Sequence, residues 1–309
     1  MNKPTRRQHT VWRKYLRAWA TNDQICCAMA GKSFSASLMK IGQERDFYRM
    51  HEMTEADIAL IRATFIAPMG NPLLREMSEQ WIGVFDHIRK MRLLAEQLGI
   101  DASSALEDTY IQGEESLQSS IEQNAIHLLD RLLAEDDFCL VETSDYGIFM
   151  HFMMTQYFRT SRMLENLRRG MGDRFGGTLE RSMGLMRHMF ASTAGFTLLA
   201  EREVMKSYLL VNDSGVPFIT GDQPVINVMA VDLPDDKAVD DCEFYYPLSP
   251  RKALFIAKRS DYSSGKVSEA QAREFNRLIA VAAEKQIYGE TLSDLDDVLH
   301  LVGRHLAPN

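Results

Sequence analysis

The sequence predicts an α+β fold: a mixed or antiparallel sheet formed by an N-terminal hairpin and C-terminal strands, with a large helical layer in the middle. Three observations predict it. Gln24–Ala30 and Ser33–Met39 are alternating runs joined by Gly31–Lys32, the pattern of a β-hairpin. From about residue 54 to 205, apolar residues recur at helical spacing through long segments. Beyond residue 205 the texture turns to short β-rich runs, so β segments stand at both ends of a helical stretch. A chain of 309 residues has room for one large domain or two small ones. Joining the two ends in one sheet favours a single domain over 1–309, with a helical middle at about 54–205, a β-rich segment at about 206–260 and a closing helix at about 267–287. Two units divided near residue 205 are the competing arrangement.

Each element has a local cause. Trp12, Tyr15, Leu16 and Trp19 repeat at helical spacing within Val11–Ala20, and Asn22–Asp23 ends that helix. In the hairpin, Ile25, Cys27 and Met29 would share one face. Thr54, with Asp57 three residues on, resembles a capping box that opens a helix to about Ala67. Asn71–Pro72 places an N-cap and an N1 proline before a long amphipathic helix that ends at Gly99. The same periodicity covers roughly Glu114–Ala134, and Asp137–Glu142 is a short strand candidate. Ser144 caps the helix that carries Gln156 and Arg159, Gly170–Gly177 breaks the pattern, and a helix resumes near Thr178–Met205. Tyr208–Val211, Asp213–Gly215 and Val216–Thr220 read as strand, turn and strand. Glu243–Tyr246 and Ala253–Lys258 are further strands, and a last helix runs from about Val267 to Ile287.

Hydrophobic residues make up 45% and charged residues 25%, which excludes disordered, collagen-like and disulfide-scaffold chains. The most apolar stretch, Tyr146–Phe158, is cut by His151, Thr155 and Gln156, far short of the roughly 18 apolar residues of a spanning helix, so no membrane partner is expected. The basic N-terminus has no apolar region behind it and does not read as a secretory signal. Cysteines 26, 27, 139 and 242 fit neither a zinc ribbon nor a disulfide frame, so a cytoplasmic location is expected.

The net charge of −8 hides an asymmetry. Lys3, Arg6, Arg7, Arg13, Lys14 and Arg17 precede the first acid, Asp23. A second basic cluster, Arg159, Arg162, Arg168, Arg169 and Arg174, is diluted only by Glu165 and Asp173. The acids gather at Asp232, Asp235, Asp236, Asp240, Asp241 and Glu243. Such basic patches could meet a phosphate-bearing ligand while the overall field repels non-specific DNA, or could be solvated helix faces.

Familiar motifs are missing: there is no P-loop, no dinucleotide-binding glycine fingerprint and no nucleophile elbow. His51–Glu52 begins like a zinc helix, but Glu55 stands where the second histidine belongs. His300 and His305 have no acidic or thiol partner nearby in sequence. His151 and His188, set among methionines and phenylalanines, read as hydrogen-bonded core residues. Nine of the 18 methionines, from Met150 to Met205, crowd the helices after Ser144, as core filler or as a partner surface.

Gln8-His9-Thr10-Val11-Trp12-Arg13-Lys14-Tyr15-Leu16-Arg17 resembles the N-terminal signature of a bacterial family, the domain of unknown function numbered four-two-three-eight. Gln156-Tyr157-Phe158-Arg159-Thr160 is similar to that family's helical Q-x-x-R-T segment. Phe218-Ile219-Thr220-Gly221-Asp222-Gln223-Pro224-Val225 is similar to its F-I-T-S-D-N-P-V segment, and Tyr246-Pro247-Leu248-Ser249-Pro250 to its P-L-S-P turn. Asn276 falls where the family tends to carry asparagine. Trp12, Gly221 and Gln223 depart from the pattern, replacing proline, serine and asparagine. The resemblance implies a fold neighbourhood and brings no activity with it.

The segments contribute His9, Gln156, Arg159 and Asp222, with Gln8 and Gln223 beside them. A histidine titrating near neutrality suits acid–base work at His9, and the guanidinium fork of Arg159 suits phosphate. Gln156 and Arg159, three apart on a helix, share a face. Asp222 could orient the imidazole or ligate a divalent metal such as magnesium, for which only Glu44 and Asp46 are further carboxylate candidates. The expectation is therefore an intracellular hydrolase of a phosphodiester or nucleotide, such as a nucleic-acid-cleaving effector. His9 and Asp222 would be catalytic, and Gln156, Arg159, Gln8 and Gln223 would bind substrate. The competing expectation is a non-catalytic binding or sensor module whose Met-rich helices meet a protein partner. In a purely structural account, Arg159 forms a buried pair with Asp222.

Overall fold

The computed structural model describes residues 6–234, 237, 239–259 and 261–303. Lys3, Asp235, Asp236 and His305 lie outside these residues. Strand β1 (Arg7–His9) leads to a short helix α1 (Arg13–Leu16), which tightens into a 3-10 turn at Arg17–Trp19. β2 (Gln24–Met29) and β3 (Lys32–Ser37) form the expected hairpin. Its turn is Ala30–Gly31, one residue earlier than the composition suggests, with φ of 50° and 74° at the two positions where a two-residue hairpin turn needs positive values. Ile25 and Cys27 are buried as expected, whereas Met29, at the strand end, is 38% exposed. β4 (Gln43–Arg45) returns antiparallel to β1, with His9 opposite Gln43.

The helical layer follows. Thr54 and Asp57 close a reciprocal capping box on α2 (Glu55–Ile61), which widens into a π turn at Arg62–Ile66. Asn71 caps α3 (Pro72–Gln97), with proline in its first turn. α4 spans Ser103–Leu133, beginning earlier than its apolar stripe suggests. Asp137–Glu142, expected as a strand, holds a 3-10 turn at Phe138–Leu140, which turns the adjacent Cys139 and Leu140 toward the core while Phe138 and Val141 stay exposed. α5 (Thr143–Phe158) is capped by Glu142 instead of Ser144. α6 (Ser161–Phe175) runs straight through Gly170 and Gly172, and the break falls on Gly176 alone, at φ 46°, before α7 (Gly177–Ala200). α5 and α7 pack closely: a Cβ on Gly195 would lie 2.9 Å from the His151 Cα.

β5 (Lys206–Val211), β6 (Thr220–Gly221), β7 (Ile226–Asn227), β8 (Phe244–Ser249) and β9 (Lys252–Ala257) make up the β-rich segment. The closing helix is α8 (Glu269–Ala282), shorter than expected, because residues 286–289 leave it to form β10 (Gln286–Gly289), ahead of a final turn of helix, α9 (Ser293–Asp296). The strands form an antiparallel sheet in the order β3-β2-β10-β6 and a second in the order β5-β9-β8-β7, beside the β1–β4 pair. The hairpin thus does join a C-terminal strand, pairing Cys27 with Tyr288, but in a sheet separate from the β5–β9 meander.

α1 locks these parts together. Tyr15 Oη donates to the Pro247 carbonyl (2.7 Å) on β8 and lies 2.6 Å from Thr220 Oγ1 on β6. Trp19 Nε1 donates to the Phe218 carbonyl at 2.8 Å. On the far side of the meander, Phe275 of α8 stacks on Tyr245 at 4.1 Å. Met150, Met153, Met154, Met183, Met186, Met189 and Met205 are buried. These seven act as core filler, flexible thioethers in the irregular space between α5, α7 and the sheets, while Met163 and Met171 on α6 stay half-buried.

Candidate functional site

Alternation along β1 sends Gln8 inward and leaves His9 half-exposed. Gln8 is wholly buried; its amide donates to the Ile111 carbonyl (2.7 Å) and its Oε1 accepts from the Tyr48 N–H (2.7 Å). Expected as a substrate contact, it instead ties β1 to the 47–48 segment and to α4.

Arg159, at the C-terminal end of α5, is 2% exposed and spends its fork inside the protein. Nε donates to Tyr48 Oη (2.7 Å), Nη2 to the His9 carbonyl (2.7 Å), and Nη1 to Glu122 and more weakly to Gln156 Oε1 (3.3 Å). Its ion partner is therefore Glu122 and not Asp222. Burial pushes the Glu122 carboxyl up, and Arg159 opposes that rise.

Above this floor opens a cavity of about 270 Å³, lined by His9, Tyr48, Glu122 and Arg159 and walled by Trp12. Cations line it as well, Arg13 and Lys14 from α1 and Arg17 from the 3-10 turn that follows, and Glu115 and Gln118 come from α4. Lys14 pairs with Asp130 (2.7 Å) and Arg17 sits 3.8 Å from Asp23, whereas Arg13 has no carboxylate partner among the described residues. The His9 Nε2 lies 3.0 Å from the Gln43 amide nitrogen, which also donates to the Met39 carbonyl (2.7 Å). An amide donating to Nε2 assigns the imidazole proton to Nδ1. Burial, with Arg13 and Arg159 nearby, holds His9 below its ordinary pKa and so neutral.

Asp222 and Gln223 do not line this cavity. Asp222 accepts from the backbone N–H groups of Glu284 (2.8 Å), Lys285 (2.7 Å) and Gln286 (3.0 Å), anchoring the start of β10. It is Gln43, and not Asp222, that meets the imidazole. Gln223 bonds Thr160 and donates to the carbonyls of Val225 (2.7 Å) and Tyr157 (3.3 Å), pinning the α5–α6 junction. Of the six residues expected from sequence, His9 and Arg159 meet at the cavity and Gln156 backs Arg159, while Gln8, Asp222 and Gln223 brace the surrounding chain. In the second basic cluster, Arg159 is buried and Arg168 pairs with Glu180 (3.0 Å), so no common patch forms from them.

Burial pushes the Asp222 carboxyl up to about 6, against three N–H groups that favour its ionised form. The folded chain then holds that proton more tightly than the unfolded chain. Its stabilisation is complete below the ordinary value of 3.8 and is lost as pH rises through about 6. Asp222→Asn, which cannot titrate, is expected to flatten the stability profile by about 2–3 kcal/mol between about pH 4 and pH 7. Urea midpoints across that range check it; a slope equal to the wild type's would assign the titration to another group.

Sequence reasoning missed Tyr48, Glu115, Gln118 and Glu122. The signal was present on α4, where Ile111, Ala125, Leu128 and Leu132 mark the buried face and Glu114, Gln118 and Glu122 interrupt it at four-residue steps. Polar residues on an apolar stripe mark a network, and this one continues inward. Glu114 Oε1 lies 3.2 Å from Arg187 Nε and 3.7 Å from His188 Nε2, all three side chains being buried.

Among the described residues, no group of three or more His, Cys, Asp or Glu is placed to hold a metal ion, and no helix is long and apolar enough to cross a membrane. Glu44, one of the carboxylates considered for a metal, bonds Ser161 (3.2 Å) and Lys285 (2.9 Å). The segments that carried the family resemblance bond to one another: Asn276 accepts from the Ile219 N–H (3.0 Å) and donates to the Pro217 carbonyl (2.8 Å). No curated protein and no solved structure matches the chain. Residues 7–293 match the family described as "Protein of unknown function (DUF4238)", and the chain belongs to it.

Proposed function

We propose that this DUF4238 member binds the phosphate of a nucleotide or nucleic-acid strand in the α1–α4 cavity and hydrolyses its phosphoester. The observation that carries the reading is the convergence of Arg13, Lys14 and Arg17 with His9 around one cavity of about 270 Å³. Three cations on α1 and the 3-10 turn after it offset phosphoryl charge in an otherwise acidic protein. Acid–base work falls to His9 and Glu115, both half-buried side chains at the cavity. The neutral imidazole can accept a proton, and burial pushes the Glu115 carboxyl in the direction of its protonated form. Arg159 positions His9 through its backbone carbonyl and does not itself grip phosphate.

One observation favours binding without turnover: the His9 Nε2 lone pair is already engaged by Gln43. The two readings separate in one experiment, in which the purified chain is incubated with nucleotides and with single-stranded RNA and DNA, with and without magnesium. Hydrolysis predicts product release that falls about 100-fold or more in His9→Ala, with the melting temperature within a few degrees of wild type. Saturable binding that is lost in Arg13→Ala, with no product formed, would leave only the binding module. Neither turnover nor binding overturns both.

A further inference from the structure

We infer that the outward face of α3 is a dimerisation surface, on which the same helix of a second copy of this chain packs antiparallel. α3 carries two apolar stripes. Ile82, Phe85 and Ile88 turn one of them into the core. The other faces solvent, where Leu73, Val84, Met91, Leu94 and Leu98 are between 41% and 62% exposed. With Met77, Gln80 and His87 they form an unbroken alternation of four- and three-residue steps from Leu73 to Leu98. That spacing is the seam of a two-helix coiled coil, and a helix that packs only on its own core has no need of it. About 39 Å of helix, about 12 Å across, presents roughly 450 Å² on one side. Exposed apolar stripes of that size mark interaction sites. Two such faces would bury roughly 900 Å², which fits a weak, reversible dimer and not an obligate one.

A second copy is the occupant because the seam matches its own reverse. Run antiparallel, Leu73 meets Leu98 of the second copy and Met77 meets Leu94 of the second copy, at both ends at once, as a two-fold axis requires. The helix dipoles then oppose one another. No seam position carries a fixed charge, and the open flank holds Glu76, Gly83, Lys90 and Gln97. Reversal sets Glu76 beside Gln97 of the second copy and Lys90 beside Gly83 of the second copy, so no like charges face. Lys90 is already neutralised by Asp86 at 3.1 Å. Gly83 points the same way. Glycine inside a helix costs about 1 kcal/mol against alanine, yet within this chain nothing lies within 4 Å of where its Cβ would stand. In the pair, that gap receives the Lys90 stem of the second copy. No α3 residue lines the α1–α4 cavity, so the dimer forms with or without phosphate.

Sedimentation velocity of the full chain from about 5 to about 500 μM tests this, and a reversible shift from monomer to dimer is expected within that range. The double variant Leu94→Glu with Leu98→Glu sets like charges into the contact and should weaken the dimer by about tenfold or more. Both positions are exposed, so its melting temperature should stay within a few degrees of wild type. Orientation is read by mixing Leu73→Cys and Leu98→Cys chains under mild oxidation, with wild type as the blank for the native half-buried thiols Cys26 and Cys242. A disulfide is expected between the two variants and not within either alone. Each variant linking to itself would overturn the antiparallel arrangement and keep the second copy as occupant. A dimer undiminished by the double glutamate variant would overturn the assignment to this face. A chain that stays monomeric throughout overturns the inference and leaves the stripe to a helix of another protein.

Discussion

Arg159→Met is expected to destabilise the fold by about 3–5 kcal/mol, because it strands Glu122 as an uncompensated buried charge and leaves Tyr48 Oη and the His9 carbonyl without their donor. At roughly 2–4 °C per kcal/mol for a chain of this size, the melting temperature should fall by about 10 °C. Arg159→Lys should not rescue it, since one ammonium cannot reach three acceptors that the planar fork reaches at once. The double variant Arg159→Met with Glu122→Leu should recover much of the loss, because replacing both buried charges with apolar groups is often neutral. Thermal melts of the four chains check this, with the exposed Arg75→Met as control. A loss no greater than the control's would mean that Arg159 does not carry the cavity floor.

Trp19→Ala should cost about as much, roughly 3–5 kcal/mol, by a different route. Trp19 is fully buried, packs on Tyr15 at 5.1 Å and donates to the Phe218 carbonyl. Truncation leaves a cavity beneath α1 and an unpaired carbonyl just ahead of β6. Trp19→Phe keeps most of the volume and should lose only about 1–2 kcal/mol, chiefly the hydrogen bond. Denaturant midpoints for the two variants check the order. If they are equal, packing contributes little there and the hydrogen bond is the whole effect.

Much of the architecture was legible because its signals are local. A capping box at Thr54–Asp57, Asn71 before Pro72, and alternation across Gln24–Ser37 each act within a few residues. β10 was hidden because Ala282-Ala283-Glu284-Lys285 reads as more helix, with no glycine or proline to mark the stop. What ends α8 is remote: Asp222 collects the N–H groups of residues 284–286 and turns the chain into the sheet. Asp137–Glu142 failed for the usual reason that a short apolar run does not distinguish strand from turn.

The site was legible by half. His9 and Arg159 could be singled out as chemistry-bearing residues, but the partner of Arg159 is fixed by how α4 crosses α5, and no sequence spacing links 122 to 159. Asp222 looked catalytic because an aspartate after a strand suits either role, and only the positions of residues 284–286 decide between them. The basic run Arg13–Arg17 is the further feature that folding sets around the same cavity as His9.

The polar interruption of the α4 stripe also constrains how the helices assemble. A helix whose buried face were all leucine could slide by one turn against its neighbours at little cost. If α4 moved by four residues, the position now held by Glu122 would be taken by Gln118 or Ile126, and Arg159 would face no negative charge. Glu114 would likewise leave Arg187. The same side chains that shape the cavity therefore act as a key for alignment, so that misregistered bundles are penalised and one arrangement of the helices is selected as the chain folds.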